Sequence, residues 1–127
     1  MNFCTAINCM DGRVQLPVID YLKKRFGVAY VDAITEAGPN RIVAEQTNKA
    51  LLQSIYNRVD ISIENHNSVG IAIVGHYDCA GNPAPQEEQM VHIQKAVRAL
   101  GQRYENMEII GLWVDENRRV HEVSEKK

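Results

Sequence analysis

Cys9, His76 and Cys79 are the residues of this sequence whose types and spacing most directly offer chemistry. Thiolate and neutral imidazole are zinc ligands, and a catalytic zinc takes three protein ligands and keeps one position open. His76-Tyr77-Asp78-Cys79 puts two ligands on one short turn, tight enough to fold both side chains toward one point. Cys9 opens a second polar turn, Cys9-Met10-Asp11-Gly12-Arg13, and supplies the third ligand. A His-x-x-Cys spacing alone arises by chance in many proteins. Two such turns, each directly after an apolar segment, point together to a metal. Asp11 and Arg13 add a carboxylate and a planar fork able to hold it beside the ion.

Those turns need a scaffold, and the hydrophobic pattern supplies one. Residues 3–8 form a short apolar run that reads as a buried strand. Pro17 opens a helix with Val18, Tyr21, Leu22 and Phe26 as its apolar stripe and Gly27 as its stop. Residues 28–34 read as a second strand, and 41–66 as helical, in one piece or two, although 59–63 also alternates like a strand. Residues 69–74 are almost continuously apolar, which suits a central strand covered on both faces. A helix over 86–104 carries Met90, Ile93, Val97 and Leu100, a strand follows over 108–114, and 118–123 pairs back as an antiparallel edge. The expectation is a single α/β domain over 1–127, with a mostly parallel central sheet and helices on both faces. Sites in such sheets form at the carboxyl ends of strands. The two turns meet if the first and third strands are neighbours.

Bulk properties narrow the partners. A chain of 127 residues, 45% hydrophobic and 24% charged, suits one compact domain that needs no disulfides. Its net charge of −2 (14 basic against 16 acidic residues), without a basic run, speaks against nucleic acid or an anionic membrane as partner. No apolar stretch approaches the roughly 20 residues of a membrane span. Met1-Asn2-Phe3-Cys4 lacks the layout of a signal peptide, so three reduced cysteines and a cytoplasmic location are expected.

Cys9-Met10-Asp11-Gly12-Arg13 and His76-Tyr77-Asp78-Cys79 resemble the Cys-x-Asp-x-Arg and His-x-x-Cys signatures of the β-class carbonic anhydrases. Glu36-Ala37-Gly38-Pro39-Asn40 is similar to that family's Ala-Gly loop after its second strand, and Ile110-Gly111-Leu112-Trp113-Val114-Asp115 to its late strand. The resemblance implies one Zn²⁺ per chain on Cys9, His76 and Cys79. It makes Asp11 either the fourth ligand or, held by Arg13, the acceptor of a hydrogen bond from the activated water. It implies hydration of carbon dioxide to bicarbonate, or attack on a related small electrophile such as carbonyl sulfide or carbon disulfide. It also implies a homodimer or larger homo-oligomer. The competing class is a non-catalytic zinc module permanently closed by Asp11. Three departures concern the substrate pocket rather than the metal. Thr35-Glu36 stand where the family commonly has Arg-Asn, and Ala80 stands where the family has the glycine after its last zinc cysteine, with Gly81 following. Only eight residues precede Cys9, where the family has a longer segment with a substrate-binding glutamine.

Other residues take plainer readings. Cys4 alternates away from Cys9 along its strand and reads as a small core residue. His66, His92 and His121 read as solvated. Tyr77, Asp78 and Asn82 either face substrate or shape the turn, and Glu87-Glu88 favour the start of their helix through its dipole.

Overall fold

The computed structural model describes residues 2–126. Strand β1 (Phe3–Cys9) leads through a single 3-10 turn, Gly12–Val14, into helix α1 (Gln15–Phe26). Gly27 ends α1 in the left-handed conformation at φ 65°, which glycine adopts without steric penalty. Strand β2 is Tyr30–Glu36, shifted toward the carboxyl side of the expected 28–34. Val28 is instead buried in the turn, packed with α1.

The helical stretch after β2 is two helices, α2 (Pro39–Glu45) and α3 (Lys49–His66). Gln46 takes a left-handed conformation, φ 59°, and the Asn48 side chain accepts from the Leu51 N–H to cap the second helix. Residues 59–63, which alternate like a strand, lie inside α3. Strand β3 (Gly70–His76), helix α4 (Gln86–Arg103), strand β4 (Glu108–Val114) and strand β5 (Val120–Lys126) complete the chain.

The sheet order is β2-β1-β3-β4-β5, parallel except for the antiparallel β4–β5 pair. Ile7, Ile34, Ile71, Ile73 and Ile109 face α2, α3 and α4 on one side. Cys4, Ala6, Ala72, Val74, Ile110 and Leu112 face α1 on the other. β3 is buried along its whole length, as its near-continuous apolar run requires. Since β1 and β3 are neighbours in parallel, Cys9 and His76 end adjacent strands at the same edge of the sheet.

Candidate metal centre

Cys9 leaves β1 buried at 3% exposure, and His76 leaves β3 at 2%. Cys79 follows three residues later, also buried, in the irregular segment that links β3 to α4. One donor atom from each of the three lies within 4.8 Å of the others. The Cys9 and Cys79 sulfurs are 3.8 Å apart, far beyond a disulfide bond. Two sulfurs at about 2.3 Å from one zinc, subtending a tetrahedral angle, lie about 3.8 Å apart.

The imidazole is set for a metal by its other nitrogen. His76 Nδ1–H donates to the Tyr77 carbonyl at 2.8 Å, which leaves Nε2 as the lone-pair nitrogen. Nε2 is buried and has no hydrogen-bond partner among the described residues. A buried nitrogen left unbonded costs free energy, and ligation satisfies it. The donor set therefore fits zinc: two sulfurs at tetrahedral separation and an imidazole nitrogen in the correct tautomer.

The thiols share a charge unequally. The Cys79 thiol donating to the Cys9 sulfur draws Cys9 well below the ordinary thiol range, against the opposing push of burial. The N–H groups of Gly38 and Asp11 add to the same lowering. Cys79 is pushed up, first by that hydrogen bond and then by burial, with the N–H groups of Asn82 and Gly81 opposing. Donation from four backbone amides to two sulfurs suits a site meant to carry thiolates.

Bringing Gly38 and Gly81 together builds that cradle. A Cβ on Gly81 would lie 2.3 Å from the Ala37 carbonyl carbon, and one on Gly38 would lie 2.6 Å from the Gly81 carbonyl carbon. Gly38 also sits at φ 66°. The loop after β2 thus packs backbone against backbone on the loop bearing Cys79.

Asp11 caps the 3-10 turn by accepting from the Arg13 N–H at 2.8 Å. Its carboxylate is also gripped by the Arg13 side chain, and the pair lies outside the three-donor cluster. Arg13 reaches across to the second turn as well, donating to the Asp78 carbonyl at 3.0 Å and its carboxylate at 3.3 Å. The guanidinium beside Asp11 holds that carboxyl well below the usual carboxylate range.

Of the residues flanking the candidate ligands, Asn82 is buried and shapes the loop, whereas Tyr77 is exposed. A cavity of about 370 Å³ opens beside the loop, lined by Tyr77, Asp78, Pro83 and Trp113 among others, but not by the three donors. Glu36 pairs with Arg58 on α3. Of the histidines read as solvated, His66 and His121 are exposed and His92 is half-buried, and each has a side-chain partner. His66 bonds Asp32, His121 bonds Asp115, and half-buried His92 accepts from Asn82 at 2.9 Å. Sequence reasoning missed Asn40 and Gln89, both buried, which reach this loop. The available signal was an amide at position 89 on the apolar stripe of α4, four residues before Ile93.

The fold is similar to one of two tetrameric β-carbonic anhydrases of the filamentous ascomycete Sordaria macrospora, with a TM-score of 0.61 at 11% identity, covering 98% of this chain and 82% of that one. It is also similar to the β-carbonic anhydrase CafA of Aspergillus fumigatus, with a TM-score of 0.58 at 14% identity, covering 95% of this chain and 74% of that one. No curated protein matches the chain. A family model described as "Putative carbonic anhydrase" matches residues 1–124, a span that contains both turns and all five candidate residues. The chain belongs to that carbonic anhydrase family.

Proposed function

We propose that this chain is a zinc-dependent carbonic anhydrase-like enzyme that hydrates carbon dioxide to bicarbonate. Cys9, His76 and Cys79 hold the metal, and Asp11 and Arg13 are its catalytic pair. The observation that carries the reading is the buried, unbonded His76 Nε2 beside two sulfurs at tetrahedral separation. Bound zinc supplies a Lewis acid that makes water acidic enough to yield a nucleophile near neutral pH.

The protein residues do the rest. Two thiolates and one imidazole neutralise the ion's double charge, which leaves the fourth position for a neutral molecule or an anion. Asp11 stays ionised under Arg13, so it accepts a hydrogen bond and orients its donor without taking the proton. Arg13, bonded to both turns, fixes the distance between that carboxylate and the donor set. The same grip disfavours a centre closed by Asp11, because ligation would draw the carboxylate away from the Arg13 fork that holds it outside the three-donor group.

We read residues 1–127 as one zinc domain acting on a small-molecule substrate in the cytoplasm, as a homodimer or larger homo-oligomer. No described helix is long and apolar enough to cross a membrane. Stopped-flow carbon dioxide hydration by zinc-loaded protein tests the activity. A rate no higher than that of Cys79→Ser protein would refute it, and parallel assays with carbonyl sulfide and carbon disulfide would show whether the pocket selects those electrophiles.

A further inference from the structure

The buried face of α4 is apolar at Ile93, Ala96, Val97 and Leu100, yet it begins with an amide, Gln89, at 1% exposure. A buried amide persists only where its hydrogen bonds are made. Gln89 Nε2 shares its two hydrogens among the carbonyls of His76 at 2.9 Å, Asn82 at 3.2 Å and Ala84 at 3.2 Å. Gln89 Oε1 accepts from Asn40 Nδ2 at 3.2 Å, and Asn40 Oδ1 accepts from Asn82 Nδ2 at 3.2 Å. The three carbonyls fix which end of the Gln89 amide faces the loop, and that choice dictates the orientation of Asn40 and then of Asn82.

The strand makes room for this arrangement. A Cβ on Gly75, the residue before His76, would lie 2.5 Å from Asn40 Nδ2 and 2.9 Å from Gln89 Oε1. Residues 77–85 have no helix or strand of their own, and Cys79 lies within them. Gln89 ties down the start of this segment at His76 and its later part at Asn82 and Ala84. It touches none of the donor atoms.

We propose that Gln89 is a positioning residue of the metal centre. It holds the His76 carbonyl and the Cys79 loop in one geometry, so that imidazole and thiolate converge before the ion arrives. The inference rests on the reading that Cys9, His76 and Cys79 are the ligands. Loss of partners that orient metal ligands typically costs about 10–100-fold in affinity, and the ordering of an irregular loop is the cost that Gln89 removes.

The test is Co²⁺ binding by the whole chain, read by thiolate-to-cobalt charge-transfer and d–d bands in competition with a chromophoric chelator. Folded Gln89→Met, which keeps most of the volume but cannot donate, is expected to bind Co²⁺ about 10–100-fold more weakly than wild type, with altered d–d bands. Affinity within twofold and superimposable bands in folded Gln89→Met would overturn the proposal. Should that variant not fold, Gln89→Asn decides, because its amide is one methylene too short to reach the same carbonyls. It is expected to bind Co²⁺ more weakly than wild type with altered d–d bands, and affinity within twofold with superimposable bands overturns the proposal. Wild-type protein that binds no Co²⁺ would overturn both this inference and the ligand reading, whereas tight wild-type binding with an indifferent Gln89 would overturn this inference alone.

Discussion

Arg13 holds Asp11 by both oxygens, Nε to Oδ1 at 3.0 Å and Nη2 to Oδ2 at 2.6 Å. The planar fork matches the carboxylate edge to edge, which a lysine ammonium cannot do. Arg13→Lys is therefore expected to keep its zinc and lose about 10–100-fold in hydration rate, the range seen when partners of a metal site are removed. Elemental analysis and stopped-flow kinetics on the same preparation check it, and unchanged turnover with full zinc would contradict the catalytic pairing.

Removing a ligand should act on metal and fold together. Cys79→Ser replaces a buried sulfur that is one of three converging donors. Wild-type protein is expected to carry one zinc per chain, and the variant to lose it on dialysis and melt at a lower temperature, since metal binding contributes to folding. A zinc-free wild type after gentle purification is the result that would end this expectation.

The third cysteine gives a pH prediction. Cys4 is fully buried under α1, and burial, reinforced by the charge of Asp32, pushes its thiol up from 9.0 to about 12. Its native pKa is thus raised, so its contribution to stability is fully present below pH 9. It is lost as pH rises toward 12, because the unfolded thiol ionises first. The slope is about 1.4 kcal/mol per pH unit in that window. Melting curves between pH 8 and 11 should show a shallower alkaline decline for Cys4→Ala than for wild type. Equal slopes would mean that Cys4 is not the group responsible.

Gly81 is required by close approach and not by its backbone angle. Gly81→Ala brings a methyl to 2.3 Å from the Ala37 carbonyl carbon, so one loop must retreat. A cost of about 1–3 kcal/mol is expected, as for other insertions into packed regions, together with weaker metal binding. Denaturant unfolding of both proteins measures it, and a neutral substitution would show that the two loops separate easily.

Assembly is the last expectation. β2 ends the sheet with Tyr30, Ala33 and Thr35 exposed, an uncovered edge with unpaired backbone groups. Light scattering coupled to size exclusion should give a multiple of 14.3 kDa. Ala33→Arg should shift the mass downward if β2 forms the contact, and a monomer at micromolar wild-type concentration would refute self-association.

Where the candidate ligands lie, and the kind of scaffold that carries them, were set by the sequence. Cys9 and His76 each end an apolar run, and that is a local property of period and composition, legible before any folding. The same holds for α4, whose stripe marked its limits to within a residue, and for the stop at Gly27. The edges were less legible. β2 shifted because only one of its faces packs firmly, so its hydrophobic pattern is weak, and Val28 was free to fill the core beneath α1. The break between α2 and α3 lies in a left-handed Gln46, a conformation that no periodicity announces.

Only the tertiary structure placed β1 beside β3, brought two sulfurs 70 residues apart to 3.8 Å, and left His76 Nε2 without a partner. It alone joined Asn40, Asn82, Gln89 and His92 from three different segments. Polar side chains carry no period of their own. Their meaning depends on which carbonyls the finished fold leaves unpaired, and chain order does not encode that directly.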